Sequence, residues 1–137
     1  MSIGFIDTNV LIRYMTNDEV KQAAQARHLF ERVSHGKESI TTSEVVIAEV
    51  VHILSSKKLY SIPRAEIRTH LERFLRLKGL TMSSKHICIR ALELYETTNL
   101  DFVDTFIAAS VERGKGAYIV SFDKKIDRIT TIERKEP

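Results

Sequence analysis

Short unbroken apolar runs alternate along this chain with longer stretches whose apolar residues recur at helical spacing, and that alternation is the pattern of βαβ units. Ile3 to Ile6 is such a run. A parallel strand is covered on both faces, so the run predicts a buried strand with Asp7 standing directly at its end. The same reading over the whole chain predicts an α/β fold: a single three-layer domain over residues 1–137, its short, mostly parallel sheet of four or five strands flanked by helices on both faces.

Local signals divide the rest. Asn9 to Tyr14 reads as a short helix, and Thr16 with Glu19 as a capping box opening a helix that runs to Ser34 and stops at Gly36. A brief strand at Ser39–Thr41 leads to a second candidate box, Thr41 with Glu44, and a helix to Lys57. Pro63 fits the first turn of a helix that carries Ile67, Leu71, Phe74 and Leu75 inward. After Gly79 come a strand at Leu80–Met82 and a helix capped by Ser83 or Ser84 and running to Thr97, with Ile87, Ala91, Leu92 and Tyr95 on its apolar side. A further helix over Asp101–Ala109, closed by Gly114 and Gly116, precedes the strand Ala117–Phe122.

Composition narrows the function classes. With 137 residues, 43% hydrophobic and 28% charged, and with Gly 5 and Pro 2, the chain is not disordered, collagen-like or of low complexity. Cys88 is the single cysteine, so no internal disulfide or cysteine-based zinc site forms, which points to a reducing compartment, the cytoplasm. The amino terminus meets Asp7 before a signal-peptide apolar region develops, and no apolar run approaches the roughly 20 residues of a membrane span, so neither export by that route nor a membrane association is expected. A formal charge of +3 permits a polyanionic partner without demanding one.

In open parallel sheets the active crevice lies beyond the carboxyl ends of the strands. Asp7 follows the first strand, Asp123 follows the last, and Asp104 sits in the first turn of the helix before it. Each alone has a plain structural explanation, because aspartate favours helix caps and first turns. Glu49 falls on one helical stripe with Val45, Val46, His52 and Ile53, so its carboxylate is expected to face the sheet, where it needs either a cationic partner or a role. If it converges on Asp7, Asp104 and Asp123, the carboxylates repel one another unless a cation sits among them, and oxygen-only ligands suit Mg²⁺ or Mn²⁺ rather than zinc.

At this point the motifs resemble the PIN-domain ribonucleases, and within them the VapC-type toxins of toxin–antitoxin pairs. Phe5-Ile6-Asp7-Thr8-Asn9-Val10-Leu11-Ile12 is similar to the family's first motif, and Ser43-Glu44-Val45-Val46-Ile47-Ala48-Glu49-Val50 places Glu49 at its second acid. Leu100 to Ala109 resembles the third motif around Asp104, and Ile119 to Arg128 the fourth around Asp123. Ser121 stands where the family often has threonine, and Thr105 where a small residue is common. The resemblance implies a divalent-metal-dependent endoribonuclease that leaves a 5′-phosphate and a 3′-hydroxyl. Asp7 and Asp104 would hold Mg²⁺ (or Mn²⁺), and Glu49 and Asp123 would bind or orient metal and water, with Glu49 a base. Thr8, Asn9 and Ser121 would orient carboxylates or a phosphate oxygen from behind. Asp101 is a fifth acid or the helix N-cap, the cap being favoured by position, and Asp127 is peripheral. The resemblance further implies a homodimer and a VapB-like antitoxin partner. A PIN-fold protein acting in RNA processing or RNA binding without a toxin role, and a receiver-like Mg²⁺-binding regulatory domain, are the competing readings. The second wants adjacent acids after its first strand, where this chain has Asp7-Thr8-Asn9.

Other signals point to structure. His28, His35, His52, His70 and His86 show no metal-ligand spacing and read as surface positions. Cys88 reads as core, and no glycine-rich phosphate loop occurs. Arg64, Arg68, Arg73, Arg76 and Lys78 read as a solvated helix face, with RNA contact as the alternative they share with Lys57, Lys58, Arg113, Lys115, Lys124 and Lys125.

Overall fold

A computed structural model describes residues 2–137. Its contacts separate into two units, one ending at Lys85 and one running from His86 to Pro137. The first contains β1 (Gly4–Phe5), α1 (Thr8–Met15), α2 (Val20–Ser34), β2 (Ile40–Thr41), α3 (Glu44–Ser55) and α4 (Arg64–Leu75). β1 and β2 pair in parallel, Gly4 opposite Ile40 and Phe5 opposite Thr41. A third segment joins at Leu80: the Ile40 N–H donates to Gly79 O at 2.9 Å, and the Thr81 N–H donates to Ile40 O at 3.0 Å.

The ladders are shorter than the apolar runs that foretold them, because only part of each run is covered. Ile6 is buried, but Ile3 and Phe5 are 56% and 59% exposed, so the first strand is not buried on both faces as expected. The core of this unit lies among the helices instead. α1 packs on α2 and α3, and α3 on α4, burying Leu11, Ile47, Leu54, Ile67 and Leu71. Phe30 meets Tyr14 edge-on at 4.8 Å between ring centroids and Phe74 at 5.3 Å, which ties three helices together.

Helix ends explain where the expected capping boxes fail. Thr16 closes α1, its hydroxyl donating to Ile12 O at 2.8 Å, while Glu19 caps α2 by accepting from the Lys21 N–H. Thr41 lies in β2, Ser43 caps α3 by accepting from the Val46 N–H, and Glu44 accepts from the Ser84 hydroxyl at 2.9 Å. Pro63 stands one position before α4 rather than inside its first turn. α2 does end at Gly36, whose φ of 75° allows its N–H to reach Val33 O and the Lys37 N–H to reach Arg32 O, a Schellman closure.

The second unit holds most of α5 (Lys85–Thr98), then α6 (Phe102–Arg113), β3 (Ile119–Val120), a 3₁₀ turn (Lys124–Arg128) and β4 (Arg134–Lys135). Cys88, Ala91, Leu92 and Tyr95 of α5 are buried, as are Phe102, Ala108 and Ala109 of α6. Arg90 of α5 grips Glu112 of α6 with two bonds of 2.8 and 2.9 Å, and Glu112 also accepts from the Thr131 hydroxyl. β3 pairs in parallel with β4, Ile119 opposite Arg134 and Val120 opposite Lys135. The sequence carries no β signal for β4, since its two residues are cations.

Gly79 is required by space. A Cβ there would stand 2.7 Å from Val33 Cγ1 and 2.8 Å from both Val33 O and Glu38 O. Gly79→Ala is therefore expected to cost about 1–3 kcal/mol, read as a lower urea midpoint at unchanged slope; an unaltered midpoint would show that the α2 end and the Leu80 segment yield freely.

Candidate functional site

β1 delivers Asp7 to the start of α1, where it occupies the N-cap position and its Oδ1 accepts from the Thr8 N–H at 2.8 Å. The carboxylate is exposed while Thr8 beneath it is buried, so it is Thr8's backbone that orients Asp7. α3 supplies Glu49. The expectation that this carboxylate faces the sheet is corrected: Glu49 is exposed, as are Val45 and His52, and the buried stripe of α3 is Val46, Ile47, Val50, Val51 and Leu54. That broad apolar arc takes the core-facing side and turns positions 45, 49 and 52 outward. No buried charge then needs an ion-pair partner. Asp7 and Glu49 line one cavity of about 240 Å³ with Thr8 and Asn9, over Ile12 and Ile53.

In the second unit, α6 begins with two of the acids. Asp101 takes the N-cap position but its side chain makes no cap hydrogen bond, which leaves its exposed carboxylate unused by the helix. Asp104 follows in the first turn, half-buried. Its pKa is raised, first by burial and then by the charges of Asp101 and Asp123, with Lys125 opposing. Asp123 caps the 3₁₀ turn, accepting from the Lys125 N–H at 3.0 Å. Its own N–H donates to Ser121 Oγ at 3.0 Å, so Ser121 orients the backbone of Asp123.

One positioning residue escaped the sequence reading. Arg134 of β4 donates from Nη1 to Ser121 O at 2.8 Å, and from Nε and Nη2 to the two carboxylate oxygens of Asp127 at 3.0 and 3.2 Å. A single guanidinium thus clamps the segment before Asp123 to the 3₁₀ turn after it, and Asp127 is that clamp's counter-ion, its pKa lowered by the Arg134 bond. Arg134 lies in a polar tail with no periodicity, so only the paired strands disclose it.

The structure thus brings Asp7 together with Glu49 in one unit, and in the other brings Asp101 and Asp123 each within electrostatic reach of Asp104. Within neither unit do three His, Cys, Asp or Glu side chains, among the described residues, come close enough to enclose an ion by themselves. The donor chemistry nevertheless fits a hard divalent cation. Oxygen ligands line the Asp7 cavity with no histidine or cysteine, and the burial and acidic neighbours that raise Asp104 both disfavour its negative charge, which a cation offsets.

The PIN domain family model matches residues 4–132, a span that runs through both units and includes every acid named above. The chain belongs to the PIN-domain family. No curated protein matches it. PIN domains are generally nucleases acting on RNA and typically use divalent metal ions. In this PIN domain the basic α4 run is largely a solvated face: Arg76 and Arg68 both bridge Glu72, at 3.1 and 3.8 Å. Lys125, in contrast, stands near enough to Asp104 to oppose its raised pKa. The histidines are surface groups, His70 alone being half-buried beside Glu66 at 3.7 Å. No helix among the described residues is long and apolar enough to cross a membrane.

These charges set opposite pH dependences. Asp104 ionises less readily in the folded chain, so its contribution to stability is present below its ordinary pKa of 3.8 and is lost as pH rises through the raised value. Asp104→Asn in chelator-treated protein should therefore raise the urea midpoint at pH 7 and leave it unchanged at pH 3. The pKa of Glu112 is lowered, chiefly by the Arg90 bond, so its contribution is present above its ordinary 4.5 and is lost as pH falls through the lowered value. Glu112→Gln should lower the midpoint at pH 7, with the gap closing in acid; parallel pH profiles for the two variants would contradict both assignments.

Proposed function

We propose that this chain is a divalent-metal-dependent endoribonuclease, the toxin component of a type II toxin–antitoxin pair, in which Asp7, Glu49, Asp104 and Asp123 form the catalytic and metal-binding set. The observation that carries the reading is the PIN domain match across residues 4–132, because the acids at its motif positions stand exposed or half-buried at helix starts and around a cavity, with no ion pair among the described residues. Asp7 and Asp104 are the residues to hold the Mg²⁺ or Mn²⁺ ion, helped by Asp123 and Glu49. Such an ion supplies Lewis-acid polarisation of the scissile phosphate and an acidified water.

The chain's own groups do the rest. The Thr8 N–H holds one Asp7 oxygen at 2.8 Å, so the other is aimed. Glu49, exposed and lining the same cavity as Asp7, with no cationic partner among the described residues, is the group to accept the proton of the attacking water. Ser121 fixes the Asp123 backbone, and Asn9 adds an amide to the cavity rim. Asp101, free of cap duty, adds negative charge next to Asp104.

The toxin role rests on the resemblance of the four motifs to VapC-type toxins, with a VapB-like antitoxin as partner. Each unit exposes apolar side chains, Ile3 and Phe5 in the first and Val103, Ile107 and Phe122 in the second, which supports a second copy and the antitoxin as partners. Co-purification with a small protein encoded next to this chain tests that role, and a coding neighbourhood without such a gene would count against it.

The nuclease reading is tested on a structured RNA pool. Purified protein should cut it with Mg²⁺ or Mn²⁺ and not with chelator, and Asp7→Asn or Asp104→Asn should lose at least about 100-fold, the upper range for outer-sphere changes being already of that order. Cutting that survives both substitutions refutes the acidic set. Arg134→Lys keeps the charge but not the two-pronged clamp, and should raise the metal concentration for half-maximal cutting about 10-fold with substrate KM held. An unchanged metal requirement would reduce Arg134 to a purely structural role.

A further inference from the structure

Next to the acid-lined cavity lies a larger cleft of about 450 Å³ between α1 and α2, within the range of small-molecule sites of roughly 300–1,000 Å³. Its polar lining is Asn9 and Arg13 of α1 with Gln22 and Gln25 of α2, and its apolar lining is Val10, Ala26 and Leu29. No carboxylate lines it, whereas the neighbouring cavity carries both Asp7 and Glu49. Asn9 lines both, so the two adjoin at the first turn of α1.

The donors are ordered. Arg13 Nε donates to Gln22 Oε1 at 2.8 Å. Because a guanidinium only donates, that bond fixes which end of the Gln22 amide is oxygen and leaves its other end an NH₂ donor. Gln22, Gln25, Ala26 and Leu29 recur at one helical stripe of α2, so amides and apolar surface share one wall. The amides and the arginine match base edges: glutamine and asparagine pair two-pronged with adenine, and arginine with guanine. Sequence-specific RNA recognition works on unpaired bases splayed into such sites.

We propose that the α1–α2 cleft is a purine subsite that reads one unpaired base flanking the phosphate that is cut. The proposal rests on the ribonuclease reading of the adjacent acids and adds to it a source of sequence preference, with Gln22 and Gln25 as the specificity-determining side chains.

The test uses the full chain carrying Asp7→Asn, which cannot consume the probe, and follows the side-chain amide resonances of Gln22 and Gln25 by NMR. Titration with the hexaribonucleotides A₆ and G₆ should shift them, with C₆ and U₆ binding at least about fivefold more weakly, and with an abasic ribose-phosphate hexamer leaving them in place. In active protein, Gln25→Ala should flatten the nucleotide preference beside the cut in a random RNA library by a similar factor. Equal shifts with the abasic hexamer, or no cleft response to any hexamer, overturns the subsite. The underlying reading fails separately: a purine-dependent cleft response in a protein whose wild type cuts no RNA with metal keeps the subsite and refutes the nuclease, and metal-dependent cutting without a cleft response does the reverse.

Discussion

Two backbone hydrogen bonds decide where the first acid stands. The Gly4 N–H donates to Ser39 O at 3.1 Å and the Ile6 N–H donates to Thr41 O at 2.9 Å, so β1 ends in register with β2 and the next residue, Asp7, must turn. The Thr42 hydroxyl prolongs the pairing by donating to Ile6 O at 2.9 Å. The chain leaves the ladder straight into α1, and Asp7 is at once the last residue of the strand exit and the cap of the helix. A slip of one residue would send Ile6 to solvent and turn Asp7 toward the core. Every further feature of that cavity, including Asn9 two residues on and Glu49 from the helix packed beside α1, inherits its place from this register.

Capping and chemistry draw on the same side chains here, and the structure shows how both are served. Asp7 and Asp123 each give one oxygen to a backbone N–H of the helical segment they start. A carboxylate has two oxygens and about four lone-pair sites, so a single cap bond orients the group without exhausting it. Asp101 is the exception, standing at a cap position with its carboxylate unspent. Its charge adds, after burial, to the raised pKa of Asp104 next door. Mutual repulsion among such acids is a stability cost that folding alone gives no reason to keep, which is the physical ground for reading the cluster as functional.

Much of this was legible in the chain. Parallel α/β order, the helix over α4 with Ile67, Leu71, Phe74 and Leu75 inward, Cys88 in the core and the stop at Gly36 all follow from periodicity and from glycine's access to positive φ. The acids at strand exits and helix starts were legible because those positions are defined by local sequence. What failed was phase and partnership. Glu49 was assigned to the wrong side of α3 because a helix with apolar residues over a wide arc leaves its polar edge ambiguous. Thr16 and Thr41 carry the sequence signature of caps, yet each belongs to the element before, a distinction that turns on one residue of backbone geometry. β4 and the Arg134 clamp were invisible because a two-residue ladder of cations has no pattern, and only pairing with β3 gives it meaning.

That clamp also bears on how a basic chain tolerates its acids. Arg134 engages Asp127 and the Ser121 carbonyl, and Arg90 engages Glu112 and Glu93, so these arginines are committed within the second unit. Lys124 and Lys125 follow Asp123 in sequence and are exposed, and Lys125 acts on Asp104 through space. A lysine is a flexible point charge whereas arginine's fork is pre-set. The rigid cations therefore hold the backbone that carries the acids, and the mobile ones remain beside the acids, where a phosphate chain approaching a carboxylate cluster needs compensating positive charge. The division follows from chemistry at named positions, since exchanging the two kinds would loosen the Ser121–Asp123 turn and lock a cation permanently against Asp104.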